Sequence, residues 1–145
     1  MALAIGTDAP AFTTKDTNGN TVSLSDFKGK TVVLYFYPKD DTPGCTKQAQ
    51  SFRDAQPDYQ VKDIVVLGVS ADDESSHQAF TAKYNLNFPL LADTNKSLIT
   101  AYNVDGGGYA KRVTYVIDSS GKIIHVDATV NTPTHASDIL TALGL

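Results

Sequence analysis

Two uninterrupted β-branched runs constrain this chain more than anything else in it. Thr31-Val32-Val33-Leu34-Tyr35-Phe36-Tyr37 and Ile64-Val65-Val66-Leu67-Gly68-Val69-Ser70 lack polar alternation, so each reads as a strand covered on both faces. Between them, Pro43 to about Ala55 reads as a helix, stopped by Pro57. Two buried strands joined through a helix pair in parallel, with a right-handed crossover. That unit forces a layered α/β architecture on the whole chain.

The remaining segments fit around this unit. Residues 11–24 read as a hairpin about the turn cluster Asp16-Thr17-Asn18-Gly19-Asn20, and Ser25 to Gly29 as one short helical turn. Ser75 to Tyr84 is an amphipathic helix whose buried stripe is Ala79, Phe80 and Tyr84. Phe88 to Leu91 is a short strand, Lys96 to Tyr102 a short helix, and Gly106-Gly107-Gly108 a flexible loop. Val113–Ile117 and Lys122–Ala128 flank the hairpin signal Ser119-Ser120-Gly121, and Pro133 to Leu143 closes the chain as a helix. The expectation is an α/β sandwich on a mixed central sheet, most simply one domain over residues 1–145.

Composition narrows the function classes. A net charge of −4, with no Lys/Arg cluster, argues against nucleic acid as a partner. No apolar run is long enough to span a bilayer, and the N-terminus lacks the basic and apolar regions of a signal peptide. One cysteine forms no intrachain disulfide, so a reducing cytoplasm is the expected location, or an organelle if a transit peptide has been removed. Asp16-Thr17-Asn18 lacks the Gly and Glu that a calcium loop needs, and Gly29-Lys30-Thr31 lacks the first glycine of a phosphate loop. His77, His125 and His135 are dispersed, and one cysteine completes no usual zinc site. No metal or cofactor is expected.

The lone cysteine is placed as a reactive group. Thr42 is a good helix N-cap and Pro43 suits the first helical position, so Cys45 falls in the first turn. Unpaired N–H groups and the helix dipole there favour a negative charge on sulfur. The competing reading is an inert buried thiol, and a Cys–His hydrolase is a further alternative.

Pro38, Thr42 and Cys45 reproduce the Pro-x-x-x-Thr-x-x-Cys signature of the peroxiredoxins. The stretch Tyr35 to Thr46 resembles their Q-type branch, the bacterioferritin-comigratory-protein group. Arg112-Val113-Thr114-Tyr115-Val116-Ile117-Asp118 is similar to the segment that carries the family's active-site arginine. The resemblance implies a thioredoxin-like fold and a peroxidase with Cys45 as nucleophile. It further implies that Thr42, Arg112 and backbone N–H groups donate hydrogen bonds to the peroxide, with Pro38 walling the pocket.

The chemistry accounts for the extra residues. Lowering a thiol pKa from about 8.5 to about 6 raises the thiolate fraction at pH 7 only about thirtyfold. Lower basicity also blunts the nucleophile. The larger acceleration must come from donors aimed at the oxygens as the O–O bond breaks.

One departure from the branch stands out. Its usual second cysteine, five residues after the first, is Gln50 here. The resemblance then implies a one-cysteine peroxidase that relies on an external thiol such as thioredoxin, glutaredoxin or glutathione, and is prone to sulfinic overoxidation. A redox sensor that forms a mixed disulfide without turnover is the alternative. A monomer or small homodimer is expected.

Overall fold

A computed structural model describes residues 2–145. Among them, seven strands and four helices follow in the order β1 (Thr13–Lys15), β2 (Thr21–Ser23), β3 (Thr31–Phe36), α1 (Pro43–Val61), β4 (Ile64–Ser70), α2 (Glu74–Tyr84), β5 (Leu90–Ala92), α3 (Ser97–Ala101), β6 (Val113–Ile117), β7 (Ile123–Asp127) and α4 (His135–Ala142). A short 3-10 turn, Leu24–Phe27, lies between β2 and β3. The central sheet has the order β5-β4-β3-β6-β7. β3, β4 and β5 run parallel, while β6 is antiparallel to β3 and β7 to β6. This is the expected mixed sheet, with β1 and β2 as a separate N-terminal hairpin.

The uninterrupted apolar run of β3 is explained by two cores. Val32, Leu34 and Phe36 face one cluster with Leu67, Leu98, Ile99, Tyr102 and Tyr115. Val33, Tyr35 and Tyr37 face the other, filled by Ala49, Phe52 and Tyr59 of α1, Phe80 of α2 and Ile139 of α4. Successive side chains of a strand point to opposite faces, so a strand between two cores must be apolar throughout. The hairpin protects the edge strand β5: the Thr17 hydroxyl accepts from the Leu90 N–H at 3.0 Å.

Three expectations are corrected. Helix α1 does not stop at Pro57 but continues to Val61, with Pro57 inside it. Proline lacks the N–H that would bond the carbonyl four residues back, which is that of Arg53. The Asn87 side chain donates to that carbonyl at 3.2 Å instead. Beyond the proline, Tyr59 is fully buried and donates its hydroxyl to the Ala136 carbonyl at 2.7 Å.

In α2 the buried line is His77 and Phe80, with Tyr84 half-buried, whereas Ala79 is exposed. The spacing of 77, 80 and 84 is still helical; a polar residue simply occupies the inward position. The strand expected over Phe88 to Leu91 begins instead at Leu90, because Pro89 offers no N–H to the ladder with β4. No helix among the described residues is long and apolar enough to cross a membrane.

Candidate active site

Cys45 lies where the chain leaves the C-terminal end of the central strand. Thr42 is the N-cap, with extended φ −98° and ψ 155°, and Pro43 takes the first helical position. Cys45 is therefore the third residue of α1, and it is 1% exposed within the core between the sheet and α1. The Thr42 carbonyl closes the first helical bond with the Thr46 N–H at 2.8 Å. The Thr42 side chain does not cap the helix; its hydroxyl donates to the Lys39 carbonyl at 2.9 Å. The hydroxyl hydrogen expected for a peroxide is thus already engaged, and Thr42 presents its oxygen as an acceptor.

Arg112 comes from the residue ahead of β6, which pairs with β3 so that Val113 faces Phe36. That register brings it over the first turn of α1. Its Nη2 donates to Cys45 Sγ at 3.2 Å, joining residues 67 apart in sequence. Its Nη1 donates to Gln48 Oε1 at 2.6 Å. A planar guanidinium can serve both acceptors at once, which a lysine ammonium on a flexible stem does less well.

Gly44 leaves room for this approach. A Cβ there would sit 3.2 Å from Arg112 Nη2 and 3.9 Å from Thr132 Cγ2. Pro38, half-buried, opens the loop from the end of β3 to Thr42.

Gln48 is a site residue that the sequence reading does not include. It is fully buried, one helical turn beyond Cys45, and its Nε2 has no hydrogen-bond partner among the described residues. The available signal is the i, i+3 spacing from the cysteine, which puts both side chains on one helix face.

Beneath the sulfur, Tyr35 stacks on Phe52 at 4.6 Å and on Tyr37 at 5.4 Å. Burial first, then the charges of Cys45 and Asp40, push its phenol well above the ordinary range, with Arg112 opposing. Gly68 of β4 leaves room for this ring: a Cβ there would come within 2.9 Å of Tyr35 and 2.7 Å of Leu90.

Of the three histidines expected to be dispersed, His125 and His135 instead flank one carboxylate, Asp127, and only His77 stands apart. His125 of β7 bonds Asp127 Oδ1 at 2.9 Å, and His135 Nε2 meets the Thr114 hydroxyl at 2.9 Å. His77 is buried beside Asp40. Among the described residues no group of three or more His, Cys, Asp or Glu side chains is arranged to hold a metal ion. A hollow of about 210 Å³ lined by Phe27, Lys28, Val32 and Ile117 lies at the other end of β3 and shares no residue with this site.

The AhpC/TSA family model matches residues 5–126. The chain is 42% identical to a putative peroxiredoxin bcp from Coxiella burnetii, covering 99% of this chain and 100% of that one. It is 48% identical to the chloroplastic peroxiredoxin Q of Triticum aestivum over 83% of this chain, and spans 57% of that longer protein. The fold superimposes on the crystal structure of a cysteine-to-serine mutant of Xylella fastidiosa PrxQ with a TM-score of 0.92. That likeness holds at 30% identity over 99% of this chain and 97% of the other.

Proposed function

The chain belongs to the AhpC/TSA family and is a peroxiredoxin, a thiol-dependent peroxidase; we propose that Cys45 is its peroxide-attacking sulfur and that an external thiol completes each turnover. The observation that carries this reading is the 3.2 Å hydrogen bond from Arg112 to a sulfur in the first turn of α1. In the attack, the Cys45 thiolate forms an S–O bond as the O–O bond breaks. The departing oxygen takes a proton and leaves as water or an alcohol, and the sulfur is oxidised by two electrons to sulfenic acid. Arg112 is positioned to follow the negative charge from sulfur to the departing oxygen. The Thr42 oxygen accepts the O–H of the incoming hydroperoxide, and Pro38 shapes the loop that presents it.

Cys45 is the only cysteine, and Gln50 is half-buried on α1, so no second thiol of the same chain closes the cycle. A thiol RSH condenses with the sulfenic acid, releasing water and leaving a mixed disulfide. A second RSH displaces Cys45 and carries the oxidising equivalents away as RSSR. Thioredoxin, glutaredoxin and glutathione are the candidate donors. Hydrogen peroxide and organic hydroperoxides are the candidate substrates, and a reducing cytoplasm would keep such donors available.

The test mixes reduced protein with one equivalent of hydrogen peroxide in competition with a fast haem peroxidase, with mass analysis of the product. Oxidation should far outpace that of free cysteine and add one oxygen atom, and Cys45→Ser should abolish it. Arg112→Ala should slow it by about 10²–10³, the usual loss for one transition-state donor. An unchanged rate in Arg112→Ala would remove that residue from the mechanism. A single oxidation with no turnover on any of the three donors would favour a sensor over an enzyme cycle.

A further inference from the structure

The loop Pro38–Asp41, which delivers the chain from β3 to the Cys45 turn, is clamped to α2 at two points. Asp41, in the left-handed region at φ 58°, accepts from Lys83 Nζ at 2.8 Å and from the Tyr84 hydroxyl at 2.7 Å. Its neighbour Asp40 turns inward and is 7% exposed. Asp40 Oδ1 accepts from the Tyr37 hydroxyl at 2.6 Å, and Oδ2 from the Ser76 hydroxyl at 2.8 Å. The same Oδ2 lies 2.7 Å from Nδ1 of His77, which is fully buried. The Asp40 N–H donates in turn to Asp72 Oδ2 at 2.8 Å.

The count of protons in this cluster is decisive. His77 Nε2 lies 2.9 Å from the Leu91 carbonyl, which can only accept, so Nε2 carries a hydrogen. Nδ1 faces a carboxylate that two hydroxyls already address as donors. Two donated hydroxyls stabilise Asp40 as a carboxylate over the acid, which favours the shared proton on Nδ1 and a doubly protonated ring. The titratable groups facing it are Asp40 from the loop and Asp72 from the turn before α2, with Tyr37, the residue just past β3, reaching it through Asp40. β5 presents the Leu91 carbonyl.

We propose that His77 is held as an imidazolium between Asp40 and the Leu91 carbonyl, and that through Asp40 it acts as a positioning residue for the Thr42–Cys45 turn, loosening that turn when it loses its proton. The proposal rests on the peroxidase reading for its consequence on rate, while the clamp itself stands on the hydrogen bonds alone. Burial disfavours the charged ring, but the hydrogen bond and charge of Asp40, the Leu91 carbonyl and the charge of Asp72 together outweigh it, and the His77 pKa is raised overall. Removing the charge from one partner of such a buried pair leaves the other poorly compensated. Loss of the proton should therefore weaken the Asp40 anchor and loosen the loop, which Tyr37, Ser76 and the Asp41 contacts still tether.

Two measurements test this on the full-length reduced protein. Nitrogen-detected NMR of ¹⁵N-histidine-labelled protein should show both His77 ring nitrogens protonated at pH 7. It should also show amide exchange at residues 39–46 accelerating beyond the intrinsic rate as that ring deprotonates on raising the pH. The oxidation rate, divided by the thiolate fraction measured through alkylation, should fall along the same titration. His77→Gln should lower that rate at least about tenfold at pH 7, the scale of a small misplacement of reacting groups. It should also lack the alkaline fall.

A singly protonated ring at pH 7 would overturn the proposal, as would a His77→Gln protein with wild-type rate, pH profile and amide exchange. If His77→Gln does not fold, ring protonation and exchange in the wild type still decide. Should the wild type oxidise no faster than free cysteine, the peroxidase reading fails, and those two observations judge the clamp separately.

Discussion

Replacing His135 with glutamine should flatten the acid limb of the stability profile, by an amount the structure allows to be worked out. His135 opens α4 with 1% exposure, its ring edge-on to Phe52 at 5.5 Å and Nε2 on the Thr114 hydroxyl. Asp127 Oδ2 is 3.9 Å from Nδ1, too long for a hydrogen bond. Burial therefore dominates, and the pKa falls from 6.5 to about 4 despite the opposing charges of Asp127 and Asp138.

The unfolded chain binds a proton at this site near pH 6.5 and the folded chain only near pH 4, so unfolding takes up a proton between them. Stability from this residue is complete above about pH 6.5 and is lost as the pH falls toward about 4. Linkage gives a loss of about 1.4 kcal/mol at pH 5.5 and about 2.5 kcal/mol at pH 4.5. Urea unfolding followed by far-ultraviolet circular dichroism at pH 7.5, 5.5 and 4.5 reads this directly. Any constant cost of glutamine cancels when each protein is referenced to its own value at pH 7.5. Wild type should lose those amounts relative to His135→Gln, and parallel profiles for the two proteins would refute the reasoning.

His77 should give the opposite sign. Its raised pKa contributes stability below about pH 6.5 that is lost as the pH rises through the folded value, and His77→Gln should remove that neutral-to-alkaline slope in the same assay. Pro57→Ala should stabilise the protein by about 1–2 kcal/mol, because it restores an N–H for the Arg53 carbonyl. Asn87→Ala should then cost less in that background than in wild type, as a double-mutant cycle by thermal melting will show. Tyr35→Phe should raise stability by about 1 kcal/mol, since its buried hydroxyl has no partner among the described residues. Gly68→Ala should cost about 1–3 kcal/mol through contact with Leu90 and Tyr35, and less when Tyr35→Phe removes the nearby oxygen. Gly44→Ala should slow Cys45 oxidation while leaving the melting temperature nearly unchanged, because the Cβ displaces the end of Arg112 and no packed side chain. Unchanged oxidation kinetics would show that the guanidinium has room to spare.

What the sequence reveals divides along a physical line. The limits of β4 are legible because a strand between two cores needs an unbroken apolar run, and Ile64 to Ser70 supplies one. The position of Cys45 is legible because Thr42 and Pro43 mark a helix start within three residues of it. Pro57 misleads because its missing hydrogen bond is compensated by Asn87, thirty residues away, which no local propensity reports. Ala79 misleads because an apolar stripe is the ordinary mark of a buried helix face, whereas the inward place in α2 belongs to a histidine matched to Asp40. Gln48 escapes notice because its importance lies in Arg112, brought to it only by the pairing of β6 with β3. Arg112 itself comes from a family resemblance, not from any pattern in its own neighbourhood.

The aromatic packing also fixes how the molecule meets strong alkali and how that encounter can be seen. Of seven tyrosines, Tyr35, Tyr37, Tyr59, Tyr102 and Tyr115 are buried, and no tryptophan masks their absorbance. Burial holds all five phenols above their ordinary titration range. Ionising them requires the fold to open, so each contributes stability that begins to drain away once the pH passes about 10. An ultraviolet titration should then show these five phenolates appearing together, as one cooperative step on both faces of the sheet. The protein carries its own built-in indicator dye, silent until the interior is breached.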